Sequence, residues 1–207
     1  MKKVPLSIRI IYILTSIVYY LTIITSSFGI IFAIGLLSGF WGDNLQLHTQ
    51  MPFEANFIET GTAMYWGQEV QIELVEISGK FHYIDTPQIV ARTNAIPMFI
   101  IFPLMFLIVF LFHRFIRNVS EGKIFEASNF YLLRKLSYIL TGMWFFTVFY
   151  FHLLQRVIFR EVKFDNIEFS MSGGWYLGLI LAALFTWVLS HIFLKGLELQ
   201  TENELTI

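Results

Sequence analysis

The chain contains no cysteine. That excludes disulfides, thiolate metal sites and cysteine nucleophiles together. Charge is scarce as well. Asp, Glu, Lys and Arg make up 14% of the 207 residues, where a soluble domain carries about 25%. So few charges cannot clothe an ordinary water-exposed surface. With 56% hydrophobic residues and a mean hydropathy of +0.65, the composition points to a membrane protein. Neither sign of charge dominates: the net charge is −1, which argues against a nucleic-acid binder working by bulk positive charge. No acidic residue sits mid-membrane in any long apolar run, which argues against proton-coupled transport. H-E-x-x-H, G-x-S-x-G and carboxylate clusters are also missing, so an enzyme is not expected.

What the sequence does have is apolar length. A membrane-crossing helix needs about 20 mostly apolar residues. Ile10–Gly42 runs for 33 residues without a formal charge, Thr93–Phe112 for 20, Leu136–Gln155 for 20 and Phe169–Ser190 for 22. These predict four transmembrane helices, near 8–38, 94–117, 129–157 and 174–197. A signal peptide has an apolar region of only about 7–15 residues and a small-residue cleavage site, so the first run reads as a retained helix. With both termini in the cytoplasm, nine basic residues lie inside and five outside, in keeping with the positive-inside rule. Trp41, Trp175 and Tyr176 then fall at outer helix ends, where aromatic anchors gather. The fold class expected is an all-α membrane protein, a four-helix bundle forming a single membrane domain over 1–207, with a small β-rich extracytoplasmic cap from 41–92 and 158–172.

The first outer segment is too long for a plain loop. Glu69–Leu74 alternates strictly between polar and apolar residues, Ser78-Gly79 offers a turn, and Phe81–Asp85 reads as a second strand, so a β-hairpin is expected there. The break at Leu74-Val75 suggests a bulge. Alternation over Val162–Met171 suggests a third strand, since an isolated hairpin is only marginally stable. Residues 43–66 read as a short amphipathic helix. Tyr65 and Trp66 are candidates for a binding surface on a cap that either orders the helix ends or senses an outer ligand.

Inside the membrane, His113, His152 and His191 sit near helix ends, and no carboxylate joins them at helical spacing, so no metal site is expected. Pro97 is expected in the opening turn of the second helix and Pro103 at a kink. Gly35/Gly39 and Gly174/Gly178 form G-x-x-x-G pairs, which predict a contact between the first and fourth helices.

The loop between the second and third helices runs from Arg114 through Asn129 to Arg134 and Lys135. Gly122 suits a left-handed cap closing the second helix, and Ser128 or Asn129 a cap opening the third. The chain closes on Glu202-Asn203-Glu204-Leu205-Thr206-Ile207. On the loop pattern Asn118, Gly122, Phe125, Asn129, Leu133, Arg134 and on this terminal peptide, the sequence resembles the bacterial four-helix membrane proteins grouped as domain-of-unknown-function family DUF2975. The resemblance in arrangement covers most of the chain, while the specific patterns are confined to these two patches.

Family members have no established enzymatic activity, and their genes often stand beside one for a small helix-turn-helix repressor of the Cro/C1 type. The resemblance therefore implies a non-enzymatic membrane partner or sensor for such a regulator, in the bacterial cytoplasmic membrane. Charge adds a physical argument. The acidic tail and the basic loop share one compartment, so docking of the tail on the loop would make a composite surface. Exposed ion pairs contribute only about 0–1 kcal/mol each, so Leu205 and Ile207 would have to bury apolar area too. The partner-binding residues implied are Arg114, Arg117, Asn118, Gly122, Phe125, Asn129, Arg134, Lys135, Glu202, Asn203, Glu204, Leu205 and Ile207. The partners are the lipid bilayer, the regulator and, optionally, further copies of the chain; no cofactor and no direct contact with nucleic acid are expected. The alternative is a transporter or channel-like component for a small lipophilic or cationic compound.

Overall fold

The computed structural model describes residues 5–41, 46, 48–49, 53–65, 67–78, 81–82, 86–161, 168–171 and 176–205. Four long helices dominate: α1 (Leu6–Ser38), α2 (Gln88–Ser120), α3 (Ala127–Glu161) and α4 (Leu177–Leu205). All four are long and apolar enough to cross a membrane, as the runs of uncharged residues predict. The chain divides into two compact units. One comprises 1–41, 88–146 and 176–207, the other 42–87 and 147–175.

In the helical unit, α1 ends at Gly39, whose φ of 72° supplies the left-handed cap that a side-chain-bearing residue resists. The N–H of Phe40 returns to the Gly35 carbonyl at 3.1 Å, and the Trp41 indole folds back over Gly35, where a side chain would collide with it. Gly35 thus serves the chain's own turn, and a Cβ at Gly178 would meet nothing within 4 Å. The expected crossing of α1 and α4 at these glycines is therefore corrected. The close approach lies between α1 and α2 instead, where the Phe102 ring fills the space left by Gly29 and the Ser26 hydroxyl donates to the Phe102 carbonyl at 3.4 Å. A second correction concerns Pro97. The helix starts at Gln88, so both Pro97 and Pro103 lie inside it. The helix begins ahead of the apolar run because its first turn, Gln88–Arg92, is more polar than the span that follows.

The core joins Leu111 and Phe115 of α2, Leu132, Leu133, Leu136 and Leu140 of α3, and Ala183 of α4. Large apolar side chains also face outward, among them Phe28 (69% exposed), Phe145 (62%) and Phe185 (66%). A contiguous apolar surface of that kind is a liability in water, whereas in a bilayer the solvent is itself hydrocarbon.

Among its described residues the second unit carries five strands: β1 (His48–Thr49), β2 (Phe53–Tyr65), β3 (Gln68–Ser78), β4 (Phe81–His82) and β5 (Glu168–Met171). One antiparallel sheet has the order β3-β2-β5, and β1 pairs with β4. The alternating run at Glu69–Leu74 is indeed strand, and part of the second outer segment does add a third. The hairpin partner differs from the expected one. β3 pairs with β2, residues read as a short helix, through a turn holding Gly67 at φ 81°; Phe81–His82 pairs with β1. The misreading has a physical cause. The ladder slips between Asn56 and Glu59, so two residues of β2 stand opposite Val75 alone. That bulge shifts the phase of alternation halfway along β2, and Ala55, Gly61 and Ala63 blur what is left. The break anticipated at Leu74-Val75 coincides with this slip. Trp66 and the Ser78-Gly79 turn beyond Ser78 lie outside the described residues.

Candidate functional site

The residues singled out by the loop pattern come together where α2 turns into α3, beside the last turns of α4, all within the helical unit. Helix α2 closes with Gly122 at φ 85°, as the sequence predicts. The Lys123 N–H reaches back to the Asn118 carbonyl (3.0 Å) and the Gly122 N–H to the Val119 carbonyl (3.1 Å). This is the Schellman pattern, in which a left-handed glycine lets the next two amides satisfy the final carbonyls of the helix.

Helix α3 begins at Ala127, a residue or two before the expected caps. Asn129 is not a cap but a clasp. Its side chain is fully buried. The Nδ2 group donates to the carbonyls of Lys123 (2.6 Å) and Ile124 (2.9 Å), and Oδ1 accepts from Asn118 Nδ2 (2.8 Å). Asn118 is thus committed twice, through its carbonyl to the cap and through its amide to Asn129. Two asparagines stitch both arms of the turn.

Around this clasp the charged groups pair locally. Glu121 accepts from Arg117 Nε and from Lys123 Nζ, each at 2.9 Å. These hydrogen bonds, Lys123 first and Arg117 second, hold the Glu121 carboxyl below the ordinary carboxylate range and push the Lys123 ammonium up. Arg134 donates to the Tyr138 hydroxyl (2.9 Å) and lies over the rings of Phe130 and Tyr138 at 5.9 and 5.6 Å. Such stacking fixes the guanidinium plane without neutralising its charge. Arg114 and Lys135 are exposed and make no ion pair among the described residues.

The tail continues α4 as helix through Leu205, with Glu202 and Asn203 exposed on it. Lys195 pairs with Glu198 one turn on at 2.6 Å. The side chains of Glu204 and Leu205, and all of Ile207, lie outside the described residues. Loop and tail helix meet through aromatic contact, where the sequence suggests charge. Phe125 packs on Phe193 (5.8 Å between centroids), which stands edge-on to the buried Phe115 at 5.4 Å, and the Phe125 ring occupies the space a side chain at Gly196 would need. Phe125 still keeps 43% of its surface exposed. Sequence reasoning missed Phe193 and Gly196. The signal was there in Gly196, a lone glycine inside an apolar helix, which marks a close approach.

The histidines fall into different surroundings. His113 is stacked between Tyr19 (4.9 Å) and Tyr12 (5.5 Å) of α1, whereas His191 stands edge-on to Trp187 and Phe130. Among the described residues no three His, Asp or Glu side chains gather as metal ligands would.

A family model described as a protein of unknown function, DUF2975, matches residues 69–207, from β3 through the loop to the tail. No curated protein and no solved structure matches the chain.

Proposed function

The chain belongs to the DUF2975 family, and from that premise we propose that it is a non-enzymatic, multi-pass membrane protein whose loop and tail hold a small helix-turn-helix regulator at the cytoplasmic face. In this reading both termini are cytoplasmic, and the protein lies in a bacterial cytoplasmic membrane. One observation carries the proposal. The Asn118–Asn129 clasp and the packing of Phe125 on Phe193 and Gly196 of α4 tie the loop to the helix that carries the tail. On the two helices flanking that loop, Arg114 and Lys135 are exposed with no ion pair among the described residues, and the Phe125 ring keeps 43% of its surface exposed.

Such a surface suits recognition. Exposed cations speed encounter with an acidic partner, and an aromatic anchor set on a rigid base supplies burial at low entropic cost. A signal can alter regulator binding only by preferring one of two conformations, and the aromatic link Phe115–Phe193–Phe125 couples the bundle core to the surface.

The test is co-purification from native membranes followed by mass spectrometry. The intact chain is expected to retain a small DNA-binding protein of the Cro/C1 type. A chain ending at Thr201, or one carrying the Phe125→Ala and Lys135→Glu changes, is expected to lose it. Equal retention by all three sinks the role of this surface.

A further inference from the structure

The loop end of α3 has two contrasting faces. Leu132, Leu133, Leu136 and Leu140 turn inward to the core. Tyr131, Arg134, Lys135 and Tyr138 are exposed. Their spacing of i, i+3, i+4 and i+7 puts all four on one strip about 100° wide, opposite the leucines.

The depth of this strip follows from helix length. Lys135 and Arg156 bracket the 20 residues Leu136–Gln155, which carry no formal charge. At about 1.5 Å per residue these span about 30 Å, the thickness of a hydrocarbon core. The helix is apolar enough to cross a membrane. So placed, it sets Arg134 and Lys135 at the level of the lipid headgroups, with a tyrosine one turn to either side, where amphipathic rings gather. Side chains on a helix lean toward its N-terminus, which in α3 is the end away from the uncharged run.

The two cations are positioned without being neutralised. Arg134 Nε donates to the Tyr138 hydroxyl at 2.9 Å, and the guanidinium lies on the rings of Phe130 and Tyr138. That bond spends one N–H of the five and leaves the terminal pair, whose fork matches two oxygens of a phosphate. The Tyr138 hydroxyl accepts in the same bond and keeps its own proton to donate. Neither Arg134 nor Lys135 makes an ion pair among the described residues. The sequence from Ala127 to Arg160 holds no Asp or Glu, and Glu126, just ahead of α3, accepts from the Ser128 hydroxyl at 3.2 Å.

We propose that this strip binds the phosphate headgroup of an anionic bilayer lipid, with the Arg134 fork on two phosphate oxygens, Lys135 as the second charge and Tyr138 as a further donor. Two cations without a counter-charge favour a headgroup of net negative charge over a zwitterionic one, whose own cation they repel. The site needs neither the regulator nor the tail. A failed co-purification therefore leaves it standing, and its own failure leaves the proposed function standing.

The test is native mass spectrometry of the full chain in detergent micelles, titrated with phosphatidylglycerol or with phosphatidylcholine. The natural chain is expected to retain phosphatidylglycerol about tenfold more tightly, the factor that one charge-assisted contact carries. Arg134→Lys keeps the charge but loses the fork and the stacking, and is expected to remove most of that preference. Tyr138→Phe keeps every charge and is expected to lose part of it, which holds the test open should Arg134→Lys fail to fold. Arg92→Gln deletes a charge at the far end of α2 and is expected to change nothing. Equal retention of the two lipids by the natural chain would overturn the site. So would an undiminished preference in both Arg134→Lys and Tyr138→Phe, or a loss in Arg92→Gln as large as in Arg134→Lys.

Discussion

Asn129 shows how much one buried polar side chain does at a helix–helix turn. Its amide donates to two loop carbonyls and its oxygen accepts from Asn118, with the Asn129 side chain itself fully buried. Asn129→Leu is therefore expected to destabilise the chain by about 1–3 kcal/mol, the cost of stranding buried polar partners, read as a lowered denaturation midpoint in detergent. A stability equal to that of the natural chain would mean that water replaces the clasp. Gly196 offers a paired experiment. Gly196→Val must push the Phe125 ring aside and is expected to destabilise, whereas in a Phe125→Ala background the same change is expected to cost much less. The double-mutant cycle measures that coupling, and additive effects would remove the contact from the account.

Among the elements, α1 and α2 meet where Gly29 faces Phe102. Gly29→Leu is expected to part them and to lower thermal stability, while Gly178→Leu, at a position open to its surroundings, is expected to leave it nearly unchanged. The α2–α3 turn carries its own pH signature. The depressed Glu121 carboxyl contributes stability that is present above its unfolded value and lost as pH falls through the lower, folded one. Loop amide protection is thus expected to hold steady above about pH 5 and to decline in stronger acid, and Glu121→Gln is expected to remove that step. The helices were legible in the sequence because long uncharged runs admit one interpretation. So was the Gly122 cap, since a glycine between a basic helical end and a polar turn has few other uses. The role of Asn129 was not, because a buried network and an exposed recognition residue look alike until the third dimension decides between them. The partner of β3 was hidden for a different reason: a bulge resets the alternation on which strand recognition depends.

For the molecule as a whole, an outward apolar surface is the property that assigns it to a membrane. Phe185→Arg would place a charge on that surface, at a cost near the helix centre of about 2.5–3.5 kcal/mol on insertion scales. The inserted fraction, measured by resistance to alkaline extraction, is expected to fall, and Phe185→Leu is expected to have no effect. The two ways in which the chain joins its parts also bear on how it is made. The clasp links Asn118 to Asn129, neighbours along the chain, so α2 and α3 are able to close as a hairpin almost as soon as both exist. β2 meets β5 through a ladder running from Phe53–Met171 to Asn56–Glu168, residues far apart along the chain. During synthesis one edge of β2 therefore waits, unpaired, until three of the four long helices have been made. A ribosome stalled before Glu168 would leave that edge open to any other extended chain within reach.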